Sequence, residues 1–281
     1  MRGYTNDDPI FRYCDQICNV RRLVGTAVTK TMILTVLGSG TGVPSTHRSS
    51  PAYLVETTVG RALVDCGSGT LRQLLLAGKS CASVDRVFVT HTHPDHISDL
   101  IPLIHALKIG WDARRERPLE LCGPPGFRSY YVGCVAPVAR PPRHFEIRVS
   151  EVGDNLDWGG VQVETVPTVH TTQLASVAYR FNSENRSLVI TGDCDFDSGL
   201  VRVADHADVM VMDCSFPDAL KIDGHCSASE CGRIASLAKV EHLVLSHLYP
   251  VSLDQETRLA EARAECDSRV TLAHDLMTIQ V

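Results

Sequence analysis

From Met32 onward, apolar positions fall into short runs separated by glycine- and aspartate-rich turns. Ile33-Leu34-Thr35-Val36-Leu37 is a strand signal, closed by Gly38-Ser39-Gly40-Thr41-Gly42. Tyr53-Leu54-Val55 and Ala62-Leu63-Val64 predict a hairpin around Val59-Gly60, with a helix near 70–77. Arg86-Val87-Phe88-Val89 reads as a buried strand, and Ile97, Leu100, Ile101, Ile104 and Leu107 carry helical spacing over 97–108. The Pro- and Arg-rich stretch 137–143 reads as a loop. Further strands are predicted near 145–149, 161–166, 175–181, 187–191, 208–213 and 242–246, and helices near 198–204, 228–237 and 254–264. The mix is too strand-rich and irregular for a doubly wound sheet, and it predicts two β-layers flanked by helices. Residues 1–31 differ: they show no sustained period and mix Asp, Asn and Arg. Met32, a second start codon at the first strand, sets the expected boundary between an N-terminal extension, 1–31, read as flexible, and a domain over 32–281.

Composition narrows the classes. With 281 residues, 44% of them apolar, the chain can build one large α/β domain or two small ones. No run approaches the roughly 18–20 apolar residues of a membrane span, which excludes an integral helical membrane protein. The polar start, Met1-Arg2-Gly3-Tyr4-Thr5, lacks the apolar core of a secretory signal. Lys+Arg number 27 against 33 Asp+Glu, a net charge of −6. That balance argues against a broad nucleic-acid-coating surface and leaves room only for a local groove. The eleven cysteines are odd in number, scattered, and form no CxxC pair. They read as small buried hydrophobes in a reducing compartment, so a cytoplasmic location is expected.

Candidate chemistry concentrates in Thr90-His91-Thr92-His93-Pro94-Asp95-His96, directly after the Val-Phe-Val strand. Neutral imidazole and carboxylate are the ligands that Zn²⁺ takes, at about 2.0–2.2 Å. Three further groups of the same kind end predicted strands: His170 in Val-Pro-Thr-Val-His, Asp193 in Val-Ile-Thr-Gly-Asp and His247 in Leu-Val-Leu-Ser-His. Singly, each is an ordinary cap or turn residue. Together with His91, His93, Asp95 and His96 they supply seven ligands, enough for two metals sharing one carboxylate and a bridging hydroxide. His105, His144, His206, His242 and His274 read as ordinary.

The order His-x-His-x-Asp-His, His, Asp, His resembles the metallo-β-lactamase superfamily over essentially all of 32–281. The resemblance implies an αββα four-layer sandwich, an α/β fold with the metals at one edge. It implies one metal on His91, His93 and His170, a second on Asp95, His96 and His247, and Asp193 between them. Asp65-Cys66-Gly67 looks like the superfamily's first motif, whose Asp supports the metal loop. Leu37-Gly38-Ser39-Gly40-Thr41-Gly42-Val43-Pro44 is similar to the opening of the ribonuclease Z and small phosphodiesterase branch, and Asp213-Cys214-Ser215-Phe216 to its strand after the bridging Asp. Gly224-His225-Cys226-Ser227 resembles that branch's histidine motif, in which the His is a general acid or positions the phosphate.

Departures from ribonuclease Z are as specific. Its Pro-x-Lys-x-Arg-Asn loop stands here as Pro44-Ser45-Thr46-His47-Arg48-Ser49, where Lys becomes Thr46 and Asn becomes Ser49 while Arg48 is kept, either to touch a phosphate or as a solvated surface Arg. Its tRNA-gripping arm lies between the lone His and the bridging Asp, where this chain has only residues 171–192. The reading is therefore a hydrolase with two divalent ions, Zn²⁺ before Mn²⁺ or Fe²⁺. It is expected to be an endonuclease-like phosphodiesterase for small-molecule or short nucleic-acid diesters, with Asp95 and His225 catalytic. No membrane partner is expected, and a homodimer is left open. The alternatives are a lactone, β-lactam or thioester hydrolase, since the same metals polarise a carbonyl, and a ligand carrier that has lost the chemistry.

Overall fold

The computed structural model describes residues 32–110, 115–153, 156–250 and 255–281. The extension read over 1–31 lies outside the described residues. Two seven-stranded sheets form the centre. The first runs β14 (Thr278–Gln280), β1 (Ile33–Gly38), β2 (Ala52–Thr57), β3 (Gly60–Val64), β4 (Arg86–Phe88), β5 (Leu119–Gly123), β6 (Ile147–Glu151). The second runs β13 (Arg269–Leu272), β12 (His242–Ser246), β11 (Val209–Asp213), β10 (Arg186–Ile190), β9 (Val177–Ser183), β8 (Val161–Pro167), β7 (Leu156–Trp158). In both, a meander of antiparallel strands gives way to parallel ones: β3 to β6 in the first, β10 to β13 in the second.

Alternation along the strands makes the layers. Tyr53, Val55, Phe88, Tyr179, Phe181, Val211 and Val244 pack between the sheets. Their neighbours Leu54 and Val87 face helices outside the first sheet. Ala178, Met210, Met212, Leu243 and Leu245 face helices outside the second. Both faces of each sheet are thus covered, the αββα arrangement expected from the sequence. Phe88 sits amid Trp158, Tyr179 and Phe181 with ring centroids 5.2–6.3 Å apart. Each such buried ring or aliphatic side chain stabilises the fold by roughly 1.5–3 kcal/mol.

Outside the first sheet lie α1 (Thr70–Leu76), α2 (Pro94–Ile97) and α3 (Leu100–Ile109). The single helix read over 97–108 is thus two, broken at Ser98-Asp99. Asp99 leaves the helical ladder because its carboxylate takes the Leu71 amide at the start of α1, while its own amide goes to the Cys66 carbonyl. The predicted loop 137–143 also differs, since Ala136–Ala139 is helical and the loop starts at Arg140. Ala136–Ala139 continues directly from helical turns over Phe127–Tyr130 and Tyr131–Val135, the latter a π-turn just before Pro137, where the missing N–H interrupts the regular α-ladder. Outside the second sheet lie α4 (Ser198–Val203), α5 (Ala228–Ala238) and α6 (Gln255–Glu265). Strands β3, β4, β8, β10, β11 and β12 all deliver their C-terminal ends to one edge of the sandwich, where the histidine and aspartate segments begin.

Candidate metal centre

The centre is assembled on Asp65, which follows β3 with φ 61° and is fully buried. Its carboxylate accepts the Thr90 amide at 2.8 Å and the Thr90 hydroxyl at 2.9 Å, and its Oδ2 lies 2.7 Å from His96 Nδ1. One side chain so fixes both ends of the His91–His96 segment. Gly67 allows the approach: a Cβ there would stand 2.0 Å from the Asp95 carbonyl oxygen. Asp95 and His96 lie in the first turn of α2, which Pro94 starts.

His91, His93 and His170 converge. Nδ1 of His93 is 2.9 Å from Nε2 of His91 and 3.1 Å from Nε2 of His170. A neutral His93 has one state at Nδ1, donor or acceptor, and one proton cannot serve two such contacts. His91 is held through Nδ1 by the Thr90 hydroxyl, and His170 through Nδ1 by the Gly224 carbonyl at 2.8 Å. Asp193 follows β10 through Gly192, whose φ of 60° and contact with Thr90 leave no space for a Cβ. Its Oδ2 faces His91 Nε2 at 3.7 Å and His170 Nε2 at 3.6 Å. Its Oδ1 faces His96 Nε2 at 3.1 Å and His247 Nε2 at 3.2 Å. Asp95 Oδ2 closes that second group, 3.8 Å from His96 and 3.5 Å from His247. His247 follows β12 with φ 55°, a left-handed backbone unusual for a residue with a Cβ and typical of positions held for function.

His225 stands beside both groups rather than in them. Its ring stacks on His247 at 5.5 Å and 12° and lies 4.9 Å from His170. Nδ1 is 2.8 Å from Asp213 Oδ2 and 3.1 Å from the Ser215 hydroxyl. Asp213 also comes within ligand distance of Asp193 and His247. Its oxygens are already taken by the Cys194 and Ser215 amides, the Ser215 hydroxyl and His225, so it orients neighbours. Asp213 and Ser215 are site residues to which sequence reading gave no role. Asp213 ends its strand much as Asp193 does, but its role shows only once its partner, twelve residues on, is known to be a site histidine.

Charge in the site calls for cations. Burial, then the neighbouring histidines, push His91 down to about 2. Burial also disfavours protonated His96 and His247, yet Asp193 with the other carboxylates outweighs it, raising His96 well above its usual value and His247 to about 10. Asp193 is held well below the carboxylate range, its burial outweighed by His247 and His96, and Asp95 falls to about 2. His96 Nε2, Asp193 Oδ1 and His247 Nε2 are buried with no hydrogen-bond partner although they converge within 3.2 Å. The carboxylates draw positive charge to this point, either as protons on the imidazoles or as a cation among neutral ones; in the second case three lone pairs converge, so this donor set fits a divalent metal. The structure thus brings together all eight residues predicted from the sequence. Arg48 is different. Its guanidinium donates through Nη1 to the Ser39 hydroxyl and the Ala273 carbonyl, both at 2.6 Å, and so pins the Gly-rich loop. Among the described residues His105, His144, His206, His242 and His274 join none of the ligand clusters.

The family described as Beta-lactamase superfamily domain matches residues 60–248, and the chain belongs to that family. With this fold and this cluster of histidines and aspartates it is a metal-dependent hydrolase of ribonuclease Z-like type. Ribonuclease Z of Mycobacterium bovis (strain BCG / Pasteur 1173P2) is 28% identical to it over 274 residues, covering 88% of this chain and 98% of the relative. Among solved structures, the metallo-β-lactamase fold protein YhfI from Bacillus subtilis matches with a TM-score of 0.77 and 24% identity, over 90% of this chain and 100% of its own. Human tRNase Z, short form, matches with a TM-score of 0.72 and 24% identity, over 88% and 98%.

Proposed function

We propose that the protein is a two-metal phosphodiesterase acting on small-molecule or short nucleic-acid diesters. One observation carries the reading: the two oxygens of Asp193 are turned toward two separate ligand groups. His91, His93 and His170 would hold one ion and Asp95, His96 and His247 the other, with Asp193 shared. Nitrogen-rich ligands favour Zn²⁺, and Mn²⁺ or Fe²⁺ fill the same set. Held there, two divalent ions lower the pKa of a bound water and neutralise charge on a phosphoryl oxygen.

The chain's own groups supply the rest. Asp95, partly exposed at the mouth, holds the attacking water and takes its proton. His225 protonates the leaving oxygen. Burial lowers its pKa, but the hydrogen bond and charge of Asp213 outweigh that and raise it above the usual imidazole value, which favours the acid form. Because Asp213 occupies Nδ1, the free donor is Nε2. The ribonuclease name of the similar curated proteins supports a phosphodiester over a carbonyl substrate. Residues 171–192, between the lone His and Asp193, are largely the β9–β10 hairpin, which supports a small substrate over a folded tRNA. The acidic net charge agrees, because phosphate contacts dominate affinity for long nucleic acids. The described cysteines are free thiols, in keeping with a reducing compartment such as the cytoplasm.

The test is a hydrolysis panel on metal-replete protein. Bis-p-nitrophenyl phosphate should turn over, with weak or absent cleavage of precursor tRNA. Lactones or β-lactams turning over far faster than every diester would replace the phosphodiesterase reading with a carbonyl hydrolase.

A further inference from the structure

The proposed acid, His225, fixes where the leaving group must lie, and what borders His225 is aromatic. Tyr249, two residues beyond His247, has its ring 6.0 Å from His225 and 5.7 Å from His247, close to perpendicular to both. Phe216, buried, stacks on Tyr249 at 4.8 Å and 21°. Of the other rings around His225, those of His247 and Phe216 are buried and the His170 side chain is 6% exposed, while Tyr249 is partly open to solvent. The shelf is fixed from behind: Arg258, fully buried, donates to the carbonyls of both Ser215 and Tyr249. The Tyr249 hydroxyl bonds to no described residue, so polar anchoring does not explain a tyrosine here.

We propose that Tyr249, backed by Phe216, is the specificity-determining residue for the leaving group, stacking a nucleobase or similar planar group carried by the departing alcohol. This rests on the phosphodiesterase reading and names its substrate class: a diester whose leaving half is a nucleoside. An aromatic ring with one face supported is the usual platform for an unpaired base, and it tolerates any base because each has a π-face.

The experiment compares thymidylyl-thymidine with analogues abasic on one sugar or the other, the products identifying which sugar leaves. Leaving oxygen and phosphate are the same throughout, so only the base differs. Wild type should favour the diester with a base on the leaving sugar by roughly 5- to 150-fold in kcat/KM, the equivalent of ~1–3 kcal/mol of base–aromatic stacking. Tyr249→Leu should bring that ratio close to one, while Tyr249→Phe keeps it and Tyr249→Trp keeps or raises it. Metal content of each variant separates loss of the shelf from loss of the centre. No base preference in wild type, a preference that survives Tyr249→Leu in metal-loaded protein, or a fall in Tyr249→Trp overturns the assignment alone. A wild-type protein inactive on every diester overturns the phosphodiesterase reading and this assignment with it.

Discussion

At Gly224 the backbone has φ 86°, and a Cβ would stand 2.4 Å from the His170 carbonyl oxygen. The same glycine's carbonyl holds His170 Nδ1. Gly224→Ala should therefore displace one proposed ligand and the neighbouring His225 together, costing about 1–3 kcal/mol of stability and one metal; thermal melts and elemental analysis check it. His225→Ala should keep metal yet slow poor leaving groups by roughly 10²–10⁴-fold, with little effect on p-nitrophenolate; equal losses across leaving groups would make His225 a positioning residue. Asp213→Asn removes the charge that raises His225. Its acid form is the active one, so the alkaline limb of the pH–rate profile should move to lower pH, and an unmoved limb would contradict the dyad. The ligands were legible because four metal-capable residues within six are dense enough to stand out. Tyr249, Ser215 and Asp213 were not, since each gains meaning only from a partner brought close by the fold. The part Arg48 plays in pinning the Gly-rich loop was hidden for the same reason: its acceptor, the Ala273 carbonyl, lies 225 residues away in sequence.

Strands with a clear run, such as β1, β2, β4 and β12, were readable because burial on both faces leaves near-continuous apolar text. Strands β7 and β14, three residues each, are too short to show a period and exist through pairing. Strand β14 caps β1 at a sheet edge, Ile279 and Val281 are buried, and the Val281 amide bonds the Met32 carbonyl. Ending the chain at Met277 should cost roughly 3–6 kcal/mol, about 1.5–3 for each buried side chain, read as a lowered urea midpoint. Beginning it at Met32 keeps that contact. We propose 32–281 as the hydrolase domain, so a chain starting there should retain full activity and melting temperature, and a clear loss of either would give residues 1–31 a structural role.

At the scale of the molecule, two sheets with parallel halves send six strand ends to one edge, and the segments that follow them carry every proposed ligand and acid. Two β-layers flanked by helices were legible from the strand content, and the αββα sandwich was what the resemblance carried by the ligand order implied. What opposes folding is also there: four buried or half-buried carboxylates (Asp65, Asp95, Asp193, Asp213) and six imidazoles crowd one volume, and metal offsets that cost by binding the folded state. The central claim is two ions working together on a phosphodiester. Chelator-stripped protein should be titrated with Zn²⁺ or Mn²⁺ while hydrolysis of bis-p-nitrophenyl phosphate is followed. Turnover absent from the stripped protein and levelling at two equivalents per chain is the predicted result. A plateau at one equivalent, or no hydrolysis at any loading, would contradict it.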